Sequence, residues 1–431
     1  MRRCCPPEIG AIIDPLADDG SWGDTEMKGY TGVAANGEAI HYVDRKRWFW
    51  FLSVIYPLQV FVPMWLHART GNEAWFFLPL CNFFLVTPLL DWLIGEDTSN
   101  PPEEVVMQLD QDIYYRRLTY VIVPLHFITF FGAAAYALTQ SLSWWAFTVL
   151  ALVTGMAAGL AINTGHELGH KNSRLEKTLA KLVLALPAYG HFSVDHNRGH
   201  HLLVSTPADE ASARMGESIY KFSLREIPGV FRRAWAIESE RLASRNKPLW
   251  HYSNPILQSY AISLGIAVLL IALFGWLAVP FLLIHHAFAY WQLTSANYIE
   301  HYGLLREKTA KGRYERCEPQ HSWNCNFVLS NLILFHLERH SDHHAHPLRR
   351  YQSLRHYPNL PQLPNGYFGM YVLAYFPRLW FHVMDQRLMR LPHVDGDLDK
   401  VNIDPDAKPS IFLKWGRDKM AEPTFTDLPG I

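Results

Sequence analysis

Three short histidine motifs contain the residues of this sequence best suited to chemistry. They are HELGH at 166–170, HNRGHH at 196–201 and HSDHH at 340–344, and a further histidine, His301, follows an apolar stretch. Neutral imidazole is a good ligand for iron, zinc and copper. Nine such histidines are too many for one ion. The sequence therefore predicts two metal ions with about four to six ligands each and open positions for oxygen.

The spacing inside each motif predicts which rings share one face. In the first motif the two histidines are four residues apart, so on a helix both rings point to one side and can share a metal. The second motif begins with the same spacing, and its last residue, His201, is expected to reach a second metal. The third motif begins with two histidines three residues apart, which are again predicted to lie on one face, with His344 beside them.

The elements that must position these motifs are long apolar helices. Each apolar segment is close to the ~20 residues that cross ~30 Å of hydrocarbon, where only helices satisfy their own backbone if no β-alternation is present. The 15 Trp residues also suit a chain that meets the lipid interface. We predict an all-α membrane protein with six transmembrane helices, at 48–66, 74–94, 118–138, 143–164, 256–275 and 277–297.

Basic residues indicate how these helices are oriented. The basic run 45–47 flanks the first segment, and Arg116 and Arg117 precede the third, whereas the connections on the opposite side carry almost no Lys or Arg. The positive-inside rule then places both termini in the cytoplasm. Six crossings bring 165–255 and every residue after 298 to the same side. The sequence thus predicts a cytoplasmic region of helices and loops that carries all the histidine motifs.

Two polar stretches flank this membrane body. Residues 1–44 form a polar N-terminal extension and 396–431 a polar C-terminal tail, and both are expected to have little fixed structure. The body with its metal region occupies 45–395, where the short apolar stretch 176–190 predicts an interfacial helix. The balance of 39 basic and 40 acidic residues gives no indication of a nucleic-acid partner. Without a C-x-x-C pair, the sequence contains no iron–sulfur or rubredoxin-type site.

The residues around the histidines resemble a known family. The pattern is similar to the histidine boxes of membrane-bound non-haem di-iron enzymes, among them fatty-acid desaturases, sterol oxidases and the alkane and xylene monooxygenases. The flanking sequences narrow the resemblance to the integral-membrane alkane 1-monooxygenases, over roughly residues 42–400. These sequences are GEDTSNPPEE (95–104), NTGHELGHK (163–171), HNRGHH (196–201), MGESIY (215–220), NYIEHYG (297–303) and LERHSDHHAHP (337–347).

This resemblance implies terminal hydroxylation of medium- or long-chain alkanes with O2. The electrons would come from rubredoxin, a separate chain that is itself reduced by a rubredoxin reductase. The resemblance also implies a multi-pass protein of the bacterial inner (cytoplasmic) membrane. It assigns two non-haem iron ions to nine histidine ligands, which carry over onto His166, His170, His196, His200, His201, His301, His340, His343 and His344.

Three other functions share parts of this pattern. A hydroxylase of xylene-type methyl groups uses the same iron site with a wider tunnel, and a fatty-acid desaturase uses it on acyl chains. HELGH alone is also the motif of zinc metallopeptidases, in which Glu167 would be the general base. The products separate the first two functions from alkane hydroxylation. Zinc content without O2 consumption would indicate the peptidase.

Residues near the ligands predict how the site is supported and shaped. A metal-bound histidine usually donates its second ring N–H to an acceptor. Five carboxylates near the motifs are candidates for this role: Glu167, Asp195, Glu300, Glu338 and Asp342. A bulky residue in the second predicted helix is expected to end the substrate tunnel and limit chain length. Either Phe83 or Phe84 could do so, because helical phase read from the sequence does not choose between them.

Basic residues near the motifs suggest where an electron donor would dock. Arg198, Arg339, Arg349 and Arg350 lie in or beside the second and third motifs. Opposite charges across an interface guide the encounter of two proteins. These arginines are expected either to meet an acidic rubredoxin or to reflect only the positive-inside bias of the membrane body.

Overall fold

The computed structural model describes residues 28–416, and helices dominate this part of the chain. Its two strands, Gly29–Val33 and Ala39–Val43, pair as an antiparallel hairpin with Gly29 opposite Val43. The second histidine motif lies in a run of three consecutive short helical segments, Phe192–Asp195, His196–His200 and His201–Leu203. The other helices of six or more residues are Phe51–Thr70, Glu73–Ile94, Glu103–Gln111, Ile113–Thr139, Trp144–Gly169, Arg174–Ala185, Ile219–Ala243, Pro255–Phe274, Ala278–His301, Val328–Ile333, His340–Ala345, Tyr367–Ala374, Pro377–Met389 and Lys408–Trp415. The predicted all-α membrane protein is confirmed.

Five helices of the described chain are long and apolar enough to cross a membrane, and they match the first five predicted spans. The sixth predicted span forms the 24-residue helix Ala278–His301, which is not one of those five. Its polar side chains, among them His285, His286 and Gln292, lower its mean hydropathy. The protein is a multi-pass membrane protein, and the count of six spans stays a prediction.

Helices Trp144–Gly169 and Ala278–His301 pack closely and run parallel. A Cβ atom added to Gly155 would lie 2.6 Å from the carbonyl oxygen of His285, and one added to Gly159 would lie 2.7 Å from Cβ of Gln292. Small residues four apart let two membrane helices approach in this way. Because the helices are parallel, both deliver histidines from their C-terminal ends to one region.

The second predicted span is not a uniform α-helix. Glu73–Ile94 begins with a 3₁₀ segment, Glu73–Phe77, and contains one π-helical turn, Asn82–Val86, between two α-helical segments. The π turn contains both aromatic residues that the sequence singled out. Such turns shift the phase of a helix and are frequent at functional sites. The direction of these two side chains therefore does not follow from regular α-helical spacing.

The polar ends of the chain are more ordered than expected. The hairpin lies within residues 1–44, and Tyr30 in its first strand donates a hydrogen bond to Asp112, with 2.6 Å between the oxygen atoms. In the C-terminal region, helix Lys408–Trp415 buries Ile411. The expectation of little fixed structure is wrong for these parts. Residues 1–27 and 417–431 lie outside the described part of the chain.

Two helices outside the predicted spans complete the region around the motifs. The predicted interfacial segment forms helix Arg174–Ala185, whose Leu184 packs so closely on Gly165 that a Cβ there would lie 2.7 Å from Cγ. Helix Ile219–Ala243 was not expected from the sequence. It is too polar to be among the candidate spans, yet it buries Glu226 and Glu238.

Candidate metal centre

The nine histidines singled out in the sequence come together in two adjacent groups. Within each group, one ring nitrogen from every histidine lies within 4.8 Å of the others. The five-histidine group contains His166, His170, His196, His201 and His343, and the four-histidine group contains His200, His301, His340 and His344. The structure thus arranges the nine rings as two possible metal sites side by side.

The second motif contributes to both groups. Residues His196–His200 form one π-helical turn, in which the backbone N–H of His201 donates to the carbonyl oxygen of His196 five residues earlier. His196 and His201 therefore face each other, with their Nε2 atoms 3.1 Å apart, and both belong to the five-histidine group. His200 points to the other group. The prediction that the first two histidines of this motif share one metal, with His201 at the other, is wrong because the turn is not α-helical.

The third motif is divided as well. His340 and His344 have their Nε2 atoms 2.9 Å apart in the four-histidine group. His343 points to the five-histidine group, where its Nε2 lies 2.9 Å from that of His166. On an α-helix, residues four apart differ by about 40° in direction and residues three apart by about 60°. The expected sharing of one face by His340 and His343 is therefore wrong, whereas the pairing in the first motif agrees with the structure.

The rings outside the membrane helices are held in the form that binds metal. Burial lowers the pKa of His196, His201, His340, His343 and His344 well below the ordinary histidine value. These imidazoles are consequently neutral near pH 7. A neutral imidazole has a free lone pair on one ring nitrogen, as metal binding requires.

Several nitrogen atoms of the two groups lack ordinary partners. Nε2 of His170 and Nε2 of His200 are buried and have no hydrogen-bond partner within the described residues. Buried polar groups without a partner are costly, and a metal ion satisfies such a lone pair. The donor set of neutral nitrogens suits iron, zinc or copper. The residues therefore fit one metal ion in each group.

Outer contacts orient two rings of the four-histidine group. Nδ1 of His200 lies 2.9 Å from Oδ2 of Asp209, whose other oxygen accepts a 2.7 Å hydrogen bond from Arg233. Nδ1 of His301 lies 3.1 Å from the backbone oxygen of His321. Acceptors of this kind fix the tautomer of a ligand and leave Nε2 for the metal. Sequence reasoning missed Asp209, because only the folded loop brings it back to the motif.

The carboxylates predicted to support the ligands behave differently from one another. Oε2 of Glu300 lies 3.4 Å from Nε2 of His340, within ion-pair distance. In the described chain, the other four bind groups outside the two histidine groups. Their contacts include Glu167 with Lys171, Asp195 with Arg233, Glu338 with the backbone N–H of Tyr367, and Asp342 with Arg349. Burial raises the pKa of Glu338 to about 8. These four carboxylates brace neighbouring segments.

A mostly apolar cavity lies against both histidine groups. Phe83 lines it and is 2% exposed, whereas Phe84 is not part of its wall. The Phe83 ring packs on Phe368, with 4.3 Å between the ring centroids. The lining includes Phe83, Met156, Leu160, His166, His196, Leu293, Asn297, Glu300, His340, Phe368 and Tyr371. The structure therefore distinguishes the two aromatic residues that the sequence could not separate.

The four arginines near the motifs differ in exposure. The side chain of Arg198 is 53% exposed. Arg339 is buried and donates to backbone carbonyl groups, and the largely buried Arg349 and Arg350 pair with carboxylates. The expectation that these three meet a partner protein is contradicted by their burial. Arg198 is the one of the four with a largely exposed side chain, and its guanidinium lies 3.9 Å from the buried Glu238. Its exposure leaves it available for such a contact.

Comparisons with known proteins identify relatives of this chain. Residues 142–381 match the family model described as fatty acid desaturase. The chain is 51% identical to an alkane 1-monooxygenase of Pseudomonas putida over 377 residues, which cover 88% of this chain and 93% of that protein. It is 52% identical to alkane 1-monooxygenase 1 of Alcanivorax borkumensis, over 87% of this chain and 92% of the relative. A xylene/toluene monooxygenase hydroxylase component of Pseudomonas putida is 27% identical over 52% of this chain and 59% of its own length.

Proposed function

This chain belongs to the fatty acid desaturase family and, within it, to the alkane 1-monooxygenases, and we propose that it hydroxylates the terminal carbon of linear alkanes. The reaction is RCH3 + O2 + 2e⁻ + 2H⁺ → RCH2OH + H2O. The structural observation that carries the proposal is the apolar cavity that borders both histidine groups. An alkane has no polar handle, so a cavity of this kind holds it by burying its surface.

We propose that each histidine group holds one iron ion, with the nine histidines as ligands. When bound, iron supplies the activation of O2 and the oxidation of an unactivated C–H bond, which no acid–base side chain can perform. The protein holds the rings in place and excludes bulk water, since eight of the nine histidines are buried. The residues that carry this function lie within the proposed body, residues 45–395.

The lining of the cavity supports oxidation at the chain end. His166, His196 and His340 form the part of the wall that borders the metal centre, and the aromatic cluster around Phe83 forms another part. A linear chain lying between them presents its methyl end to the histidines. Fixing the reacting carbon in this way is an effect of position and orientation. Phe83 would then set the longest chain that fits.

The alternative functions predict different structures at the site. A zinc peptidase requires Glu167 as a general base, but this buried carboxylate lies 3.0 Å from Nζ of Lys171 and does not line the cavity. The lower similarity to the xylene/toluene component favours linear alkanes over aromatic substrates. Product analysis distinguishes alkane hydroxylation from desaturation of acyl chains, because the family model alone does not separate these two reactions.

A rubredoxin is the electron donor in this proposal, and the metal centre faces the cytoplasm at the inner membrane. Arg198 lines a surface groove together with Lys177 and Lys181. The floor of this groove includes Gly169 and Asn197, which directly adjoin histidines of the five-histidine group in the sequence. An acidic protein bound there would lie close to that group. The positive charges would also accelerate its association.

Metal content and product analysis test the proposed function. Detergent-purified protein supplied with octane, rubredoxin, rubredoxin reductase and NADH is expected to form 1-octanol and to contain about two iron ions per chain. Leaving out rubredoxin is expected to stop the reaction. Zinc in place of iron with no O2 uptake would overturn the proposal, and an alkene product would indicate a desaturase instead.

Replacing Arg198 with glutamate tests the docking site. The expected result is an increase of about fivefold in KM for rubredoxin with little change in kcat, because one exposed charge contributes roughly 1 kcal/mol to an encounter. The salt dependence of KM is expected to decrease as well. The matched control is Arg45→Glu, which reverses an exposed charge on the same predicted face. Equal KM values for the two variants would place the docking site elsewhere.

A further inference from the structure

A second, smaller cavity adjoins the substrate cavity on the side of helix Ile219–Ala243. Both cavities are lined by Phe192, His196, Leu293 and Asn297. The second cavity additionally reaches His200 and polar residues that do not line the substrate cavity, among them Tyr189, His191 and Glu226. The second cavity also has mostly apolar walls, but an alkane has no use for the carboxyl, phenol and imidazole groups that line it. These groups call for another role.

Glu226 is the unusual member of this second cavity. Its side chain is fully buried, and its two oxygens accept hydrogen bonds from Thr294 Oγ1 at 2.8 Å and Asn297 Nδ2 at 2.9 Å. No lysine or arginine forms an ion pair with it in the described chain, whereas the neighbouring Asp195 is paired with Arg233. A buried carboxyl group that has hydrogen bonds but no cation readily holds a proton. Burial accordingly raises the pKa of Glu226 to about 7.

A hydrogen bond links this cavity to a tyrosine nearer the periphery of the protein. His191 lines the cavity, its Nε2 atom has no hydrogen-bond partner in the described chain, and its Nδ1 lies 2.8 Å from the hydroxyl of Tyr260. Tyr260 is only partly buried and lies on helix Pro255–Phe274. On the other side, Asn297 bridges Glu226 to the substrate cavity. Titratable groups thus extend from the partly exposed Tyr260, near the start of this helix, to Glu226.

We propose that Glu226 is a proton-relay residue, which passes protons from Tyr260 and His191 to the metal centre through the second cavity. This inference rests on the proposed function, since hydroxylation consumes two protons per turnover. In each step the Glu226 carboxyl O–H bond breaks and its proton moves inward on water in the cavity. A proton from the His191 side then restores the carboxyl group. Over one turnover two protons enter from solvent and end in the water product.

Most of the charged or titratable groups that face Glu226 are held in ion pairs or among the proposed metal ligands. The charged or titratable ones are Tyr189, His191, Asp195, His196, His200 and Arg225. Arg225 is paired with Glu217 and Glu210, and Asp195 with Arg233, so neither exchanges protons near neutral pH. The two histidines among the proposed metal ligands are committed to metal binding. Glu226 remains as the residue able to hold a proton near neutral pH. Burial lowers the pKa of His191 to about 3, so this ring is neutral there and would carry a proton only in transit.

The test compares wild-type protein with Glu226→Gln, which keeps the shape of the side chain but cannot release a carboxyl proton. Infrared difference titration of metal-free protein is expected to show several protonated carboxyl bands in the wild type, including that of Glu338, and one band is expected to disappear as the pH rises through about 7. The band is expected to be missing in the variant. In the iron-loaded enzyme, kcat for octane is expected to fall about 100-fold, with unchanged iron content and KM.

Two further variants separate a relay from a structural role. Glu226→Asp retains a carboxyl group. Relative to Glu226→Gln, it is expected to restore part of the kcat for octane and part of the solvent isotope effect on kcat. Glu240→Gln alters an exposed carboxylate on the same helix and is expected to change nothing. Three outcomes would each overturn the relay. They are loss of iron in the Glu226→Gln variant, a wild type without the titrating band, and equal kcat in the two proteins. A wild type that forms no octanol would instead overturn the proposed function.

Discussion

Replacing His200 with alanine is expected to remove one metal ion per chain, and replacing the adjacent His201 is expected to remove the other. The two residues are neighbours in the sequence but belong to different histidine groups. Removing a ligand leaves a buried site with fewer nitrogen donors, and loss of even an orienting residue weakens metal binding about 10- to 100-fold. Hydroxylation of octane is expected to fall at least about 100-fold in both variants, because both metal ions are needed.

Double variants distinguish this arrangement from a single shared site. The His200→Ala/His201→Ala protein is expected to bind almost no iron, whereas His200→Ala/His344→Ala is expected to keep about one ion, because those two residues share one group. Metal analysis by mass spectrometry makes the comparison. His346→Ala is the control, since this half-exposed ring binds Asp342 and lies outside both groups. Equal iron content in the two double variants would refute the division into two groups.

Replacing Phe83 with alanine is expected to shift the substrate preference toward longer alkanes. The ring lines the substrate cavity and packs on Phe368, so its removal lengthens the space available to the chain. Room for about three more methylene groups corresponds to roughly 2 kcal/mol of buried apolar surface. The ratio of kcat/KM for a longer alkane to that for octane is therefore expected to rise about 30-fold. Competition between alkanes of different length measures this ratio directly.

Phe84 supplies the matched control for this experiment. It is the next residue in the same π-helical turn, its ring contacts Phe83, and it does not line the cavity. Phe84→Ala is expected to leave the length preference unchanged. Phe83→Trp is expected to shorten the longest accepted alkane. If the Phe83→Ala and Phe84→Ala proteins have the same preference, the cavity does not end at Phe83.

Much of the architecture follows directly from the order of residues. Apolar length and the need to satisfy the backbone in lipid determine where helices such as Trp144–Gly169 lie. The helix runs without a break into HELGH, so the four-residue spacing of His166 and His170 places both rings in one group, as predicted. The nine histidines were also found from the sequence, because their types and spacing are rare outside metal sites.

Other features depend on contacts between residues far apart in the chain. Asp209 reaches His200 only because its loop folds back, and Arg339 is hidden because the loop that contains Asp97 and Ser99 covers it. A local pattern contains no information about such long-range contacts. The burial of Glu226 has the same origin, since its partners Thr294 and Asn297 lie on another helix. No short sequence pattern predicts any of these roles of carboxylates and arginines.

The sequence by itself determined the membrane helices, the nine candidate ligands and the family. Only the tertiary structure decided how the ligands divide between two groups and which aromatic ring faces the substrate. The physical reason is the same in both cases. One π-helical turn at His196–His200 and another at Asn82–Val86 change the direction of the following side chains. Regular helical spacing predicts neither turn, because a π-helical turn replaces the i to i+4 backbone bonds with i to i+5 bonds and so changes the repeat.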